Sequence, residues 1–272
     1  MTIKNILISF NGGAPAVSAL KLAVKLAGHY DAHLTGVLAH GLPHMLYAYG
    51  GHIPQGAMDQ LEEADKLHRG EVRNEFSSLT SALPEERVHF LDVYGEADEM
   101  LMEAALGYDL VVMGPPEKSP DFPHMEAHAD VVARNSGKPV LVVPKGYDAA
   151  GFNSNVLLAW DGKRAASRAM ADVVKLMANR AKITVLCVGE QEAATLKAQP
   201  ALIHLERHGF ETDLVCEKSR KIAKTILATV KNKDAGILAM GAYEHAKLAE
   251  DLFGGVTNTV LKKAKVPVLL SH

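Results

Sequence analysis

Glycines that close apolar strands and open helices are the residues of this chain best suited to chemistry, because a peptide N–H can approach an anion there with no Cβ in the way. Gly241 ends the run Ile237-Leu-Ala-Met240, and Gly254-Gly255 sits at the start of a helical pattern near 252–264. A helix start adds unpaired amides and the positive end of the macrodipole, a combination that suits phosphate. Asp161-Gly162 closes another apolar run. The same residues carry a structural reading: Asp-Gly as a turn and helix N-cap, and the glycine pair as a tight approach before a helix.

Histidines offer a second chemistry. His40, His44 and His52 lie in a segment rich in His, Tyr and Met and raise zinc as a ligand, but no cysteine is near them and their spacing fits no strong metal signature. A surface or interface loop is the plainer reading. His124 and His128 stand four apart on an expected helix near 126–136, the spacing at which two ligands share a face, yet Glu126 is misplaced for a His-Glu-x-x-His site. Solvated helix-start residues are the alternative. No Walker lysine motif, nucleophile elbow or kinase signature occurs, so catalysis is the weaker class.

These residues must be positioned by something, and 272 residues that are 48% hydrophobic and 22% charged suffice for two ordinary cores. The net charge of −3 supplies no global basic footprint, which disfavours nucleic acid and anionic lipid as partners. Cys187 and Cys216 both fall in apolar, strand-like segments and read as buried, reduced thiols of a reducing compartment. Met1-Thr-Ile-Lys-Asn-Ile-Leu-Ile starts a strand rather than a signal peptide, and no apolar run is long enough to span a membrane.

The organisation emerges when the halves are overlaid. Ile6-Leu-Ile-Ser-Phe-Asn-Gly matches Val156-Leu-Leu-Ala-Trp-Asp-Gly, Tyr108-Asp-Leu-Val-Val-Met-Gly matches Ala235-Gly-Ile-Leu-Ala-Met-Gly, and Lys138-Pro-Val-Leu-Val-Val matches Val266-Pro-Val-Leu-Leu. Three matches in one order indicate a duplicated unit. Strands are expected near 3–10, 33–39, 87–93, 108–113 and 139–143, and again near 154–160, 182–188, 211–216, 235–240 and 266–270. Between them lie helices near 14–28, 58–80, 96–106 and 126–136, then 163–178, 190–208, 219–231 and 252–264. Continuous apolar runs such as Leu110-Val-Val-Met113 mark parallel strands covered on both faces. The alternation predicts an α/β chain of two tandem five-stranded parallel-sheet domains with helices on both faces. The boundaries fall at 1–146 and 152–272, and the first unit carries an insertion at 41–59 that could cover its pocket as a lid.

The opening strand ending in Asp161, the Met240-Gly241 strand end, Phe253-Gly-Gly-Val256 and the closing Val266-Pro-Val-Leu-Leu270 resemble the universal stress protein family, and the doubled layout resembles its tandem members. The resemblance covers nearly the whole chain. It implies a flavodoxin-like or Rossmann-like unit, a cytoplasmic location, stress-linked expression and, in some members, bound ATP. It also implies pairing through the last strand of each unit, here 139–143 against 266–270 within one molecule as an intramolecular pseudo-dimer, with a homodimer also open.

In the family pattern a glycine, two residues, a glycine, nine residues, and a glycine with a small hydroxyl residue wrap the phosphates. Gly241 fits the first position, Gly254 the third, and Gly255 replaces the hydroxyl residue, with Val256 following. Glu244 stands at the second glycine, where an uncompensated carboxylate repels phosphate by about 1 to 4 kcal/mol at 4 Å. Asp161 would accept from adenine or ribose, and Val188 and Met240 would supply apolar contact. The implied cofactor is ATP or AMP, with Mg admissible beside it. The first half has lost more: Asn11 replaces the acid, Pro115 and Pro116 remove two donors, and Ala127 and His128 stand at the third glycine and hydroxyl positions. Two functions follow, a nucleotide-binding stress regulator and a nucleotide-free scaffold acting through the first unit and its insertion.

Overall fold

The computed structural model describes residues 3–41, 55–117, 122–177, 181–242 and 255–272. The first unit runs β1 (Asn5–Ser9), α1 (Ala14–Tyr30), β2 (His33–His40), α2 (Gln55–Thr80), β3 (Val88–Tyr94), α3 (Ala97–Ala105), β4 (Leu110–Met113), α4 (Ala129–Asn135) and β5 (Val140–Val142). The second repeats it as β6 (Val156–Ala159), α5 (Arg164–Leu176), β7 (Lys182–Val188), α6 (Gln191–Arg207), β8 (Glu211–Glu217), α7 (Ile222–Asn232), β9 (Ile237–Gly241), α8 (Gly255–Lys263) and β10 (Val268–Ser271).

Each unit is a complete parallel sheet, β3-β2-β1-β4-β5 in one and β8-β7-β6-β9-β10 in the other. The two join by a single antiparallel pairing, with Leu141 opposite Leu269, Val142 opposite Val268 and Val140 opposite Leu270. The result is one ten-stranded sheet whose two halves run in opposite directions. Side chains alternate along every strand, so Ile6 and Ile8 enter the core on one face and Leu7 the core on the other. Both cores continue across the junction: Leu141 and Leu269 lie in the first, and Val140, Val142, Val268 and Leu270 in the second. Helices α1, α2, α5 and α6 supply side chains to one face, and α3, α4, α7 and α8 to the other. A polar contact also crosses between units, the Tyr30 hydroxyl donating to the Leu176 carbonyl, and Lys25 Nζ donates to the Ala149 carbonyl of the connecting segment at 2.8 Å.

Local chemistry explains where the helices begin and stop. Gly12 and Gly162 both take positive φ, +79° and +77°, which an L side chain rarely adopts. The side chains before them complete matching turns, Asn11 Oδ1 accepting from Gly13 N at 3.1 Å and Asp161 Oδ1 from Lys163 N at 3.0 Å. Asn and Asp serve this turn equally. Helix α1 ends at Asp31, which is left-handed (φ 53°) and returns its N–H to the Ala27 carbonyl.

The helix expected near 126–136 is shorter at its start. Pro123–Met125 form a separate 3-10 turn, Glu126 is extended, and α4 begins only at Ala129. His124 and His128 therefore share no helix face. No described helix is long and apolar enough to cross a membrane.

Candidate functional site

Ligands of doubly wound sheets bind beyond the carboxyl ends of the strands. In the second unit β9, β6 and β7 are neighbours, so Met240-Gly241, Asp161 and Val188 reach one rim. Asp161 is exposed there, Val188 is half-buried, and Met240 is buried. Val188, Met240 and Val256 belong to the same apolar cluster, and because α8 connects the parallel strands β9 and β10 it starts at the carboxyl end of the sheet. Gly255 opens α8, and among the described residues nothing lies within 4 Å of where a Cβ would stand. Glu244 and Gly254 lie outside the described residues.

Gly241 has a structural role that the sequence reading did not assign to it. A Cβ there would stand 2.7 Å from the backbone carbon and the Cβ of Ala165 and 2.7 Å from the amide nitrogen of Ala166, because α5 crosses directly over the end of β9. Gly114 stands against Pro15 in the same way, with 2.5 Å to Pro15 Cβ. Strand-to-helix packing thus requires both glycines, with or without an anion. Trp160 and Lys197 were missed as a wall of the second rim: Trp160 Nε1 donates to the Lys197 carbonyl at 2.9 Å, and the Lys197 stem lies 3.7 Å from a Cβ at Gly162. Trp160 was visible beside Asp161; nothing in the sequence marked the packing of α6.

The equivalent end of the first unit is lined by its own acids. A cleft lined by Asn11, Pro15, Gly114, Pro115, Glu117 and Glu126 lies between β1 and β4. Glu126 Oε1 accepts the Glu117 amide at 2.7 Å, and Glu117 Oε1 accepts from Lys145 Nζ at 3.1 Å. The other Glu117 oxygen stands 3.0 Å from a Cβ position at Gly13, over the start of α1. An incoming phosphate would meet two carboxylates and an amide already paired, in addition to the donors removed by Pro115 and Pro116.

Helix α2 closes this end further. His68 stacks on Phe122 with ring centroids 3.9 Å apart, its Nε2 hydrogen-bonds the Asn11 carbonyl at 3.1 Å, and Val72 packs on Gly12. Beside it Arg69 Nη1 donates to His40 Nε2 at 2.9 Å and to both oxygens of Asp92 at 3.1 and 3.2 Å. Burial, and then the Arg69 charge, hold the His40 pKa below its ordinary value, in keeping with a neutral ring that accepts from the guanidinium. His40 is thus committed to Arg69, while His44 and His52 lie outside the described residues. His124 pairs with Asp65 at 3.0 Å and His128 with Asp98 at 3.0 Å, so the two histidines serve separate acids. Among the described residues no three His, Cys, Asp or Glu side chains converge on a metal position.

Asp98 holds α4 at its start, accepting the His128 backbone N–H at 2.5 Å and its ring Nδ1 at 3.0 Å. The side-chain hydrogen bond to Asp98 raises the His128 pKa, against an opposing effect of burial. A raised histidine stabilises the fold fully below the unfolded value near 6.5 and loses that contribution as pH climbs through the folded value. The ring is about half exposed, so the effect is small. Urea denaturation between pH 5.5 and 8.5 is expected to show this decline in the wild type, and Asp98→Asn is expected to flatten it; an equal slope in both would refute the assignment.

Both cysteines are free. Cys187 is buried, and burial with the neighbouring Cys216 thiol pushes it up to about 11. Cys216 lies directly opposite on the outer strand β8 and is half-buried, so the expectation of two buried thiols holds for Cys187 alone. An outer strand lacks a neighbour on one side, which is why an apolar stretch stays partly open there.

Two five-stranded, doubly wound units in one chain, joined through their last strands, define a duplicated α/β protein. The chain belongs to the universal stress protein family, whose model matches it twice, at residues 2–144 and 153–272. The universal stress protein Slr1230 of Synechocystis is 25% identical over 170 residues, covering 60% of this chain and 57% of that protein, so the match spans little more than half of the relative. A universal stress protein from Archaeoglobus fulgidus superposes with a TM-score of 0.75 at 18% identity over 99% of this chain and 96% of that one. A protein of unknown function from Pseudomonas aeruginosa PAO1 superposes with a TM-score of 0.58 at 17% identity, covering 99% and 92%. At these identities the two structures establish the shared fold.

Proposed function

We propose that this tandem universal stress protein is a cytoplasmic stress regulator whose second unit, residues 152–272, binds an adenine nucleotide, ATP or AMP, while the first, residues 1–146, has become structural. The observation that carries the reading is the contrast between the two strand-end rims. The second leaves Asp161 exposed and, among the described residues, sets no atom within 4 Å of a Cβ position at Gly255, whereas the first lines its cleft with Glu117 and Glu126 and lays helix α2 beside it. Asp161 would accept from adenine or ribose, Val188, Met240 and Val256 would line the base, and the amides at Gly241, Gly254 and Gly255 would meet phosphate, with Glu244 as the residue opposing it. Mg would accompany ATP on the phosphate side.

Titration calorimetry of ligand-free protein with ATP, ADP and AMP tests the reading. Binding is expected, and Asp161→Ala is expected to weaken it about three- to tenfold, the worth of one hydrogen bond of 0.5–1.5 kcal/mol. Gly255→Val, whose Cβ position lies within 4 Å of no described residue, would place a side chain in the phosphate path and weaken binding further. Absence of heat with all three nucleotides at millimolar concentration sinks the proposal. It would favour the scaffold reading, which draws support from Asp161 already capping Lys163 and from the packing requirement at Gly241.

A further inference from the structure

The net charge of −3 conceals a division: residues 1–150 hold 11 Lys and Arg against 20 Asp and Glu, and residues 151–272 hold 18 against 12. The inversion is sharpest in one repeated element, the turn and helix after the outer strand of each unit. From Gly95 to Leu106, covering the turn after β3 and α3, there are four Asp and Glu and no Lys or Arg, whereas Lys218 to Lys233, covering the turn after β8 and α7, has six Lys and Arg and no Asp or Glu. Glu99 and Glu103 are exposed on α3 beside Glu96, which caps Glu99 N at 2.9 Å, and Tyr94 next to them is 67% exposed. Arg220, Lys221 and Lys224 are exposed around Ile222, itself 42% exposed. Among the described residues none of Glu99, Glu103, Arg220, Lys221 and Lys224 takes part in an ion pair. One corner is thus an acidic surface around an aromatic residue, and its repeat counterpart a basic surface around an aliphatic one.

We propose that the acidic corner of one copy, at Tyr94, Glu99 and Glu103, docks on the basic corner of a second copy, at Arg220, Lys221 and Lys224. Complementary potentials steer such an encounter and reject like-charged corners. The exposed tyrosine face also receives a cation favourably. Because β3 and β8 are the two outermost strands, the corners are about 40 Å apart at 4.8 Å per strand. The antiparallel junction also turns the carboxyl ends of β3 and β8 in opposite directions. One partner cannot engage both corners of the same copy, so the contact is heterologous and assembly continues past the dimer.

Sedimentation velocity of the full chain at 20 and 500 mM NaCl provides the test. Concentration-dependent species larger than a dimer are expected at low salt, with association weakened at least about tenfold at high salt as the charges are screened. The acid-reversed variant Glu99→Lys/Glu103→Lys and the base-reversed variant Arg220→Glu/Lys221→Glu/Lys224→Glu should each lose self-association while keeping the wild-type circular dichroism. Mixed together they should associate again, because one then carries only basic corners and the other only acidic ones. A wild type that stays monomeric at 20 mM salt and 100 μM protein overturns the proposal, as does a closed dimer or a mixture that fails to restore association. Retention on heparin without self-association would overturn it too and assign the basic corner to a polyanion.

Discussion

Leu269→Ala is expected to lower the unfolding free energy of the whole chain by about 2–5 kcal/mol, the range for truncating a fully buried leucine. Leu269 has no exposed surface and sits in β10, opposite Leu141 of the first unit and beside Ala239 of its own. The cavity it leaves therefore opens in a core to which both units contribute. Trp160 fluorescence, which reports the second unit, and far-ultraviolet circular dichroism, which reports both, should shift together in urea. Leu141→Ala should behave alike, and Leu67→Ala, two-thirds exposed on α2, should change stability by less than about 0.5 kcal/mol. Separate transitions, with only the second unit weakened, would show that the shared core contributes little.

Gly241→Ala is expected to destabilise the nucleotide-free protein by about 1–3 kcal/mol, the usual range for overpacking. The added methyl would press on Ala165 and Ala166 at 2.7 Å, and the contacted atoms include backbone, which cannot rotate aside. Gly114→Ala should follow, since its neighbour is the rigid Pro15 ring and backbone. Gly255→Ala meets no atom of the described residues and replaces glycine at the head of a helix, so stability should stay level or rise by up to about 1 kcal/mol. The comparison separates packing from ligand binding, because no nucleotide is present. A Gly241→Ala variant as stable as the wild type would return that glycine to the phosphate role alone.

The fold was legible because its determinants are local and repeated. Leu110-Val-Val-Met113 and Ile237-Leu-Ala-Met240 announce parallel strands covered on both faces, and the structure buries all eight of these residues. Asp161-Gly162 and Asn11-Gly12 announce a strand-ending turn, and both form it. Asn11, expected as the loss of an acid at the first rim, forms the same turn as Asp161, since amide and carboxylate oxygens accept the equivalent backbone N–H before the helix. The shortened α4 was missed because Pro123 and the capture of His128 by Asp98, thirty residues away in sequence, set its start.

From the sequence alone came the duplication, the order of strands and helices, the family, and the unequal match of the two halves to the family's glycine pattern. All of these are written in periodicity, in glycine and proline placement, and in comparison of one half with the other. Only the tertiary structure decided that Glu126 satisfies the amide of Glu117, that α2 lies over Gly12, that Gly241 faces Ala165, and that oppositely charged corners point away from each other. Those facts depend on which distant segments the packed sheet brings within a few ångströms, and hydrophobic periodicity records that a side chain is buried without recording what it is buried against.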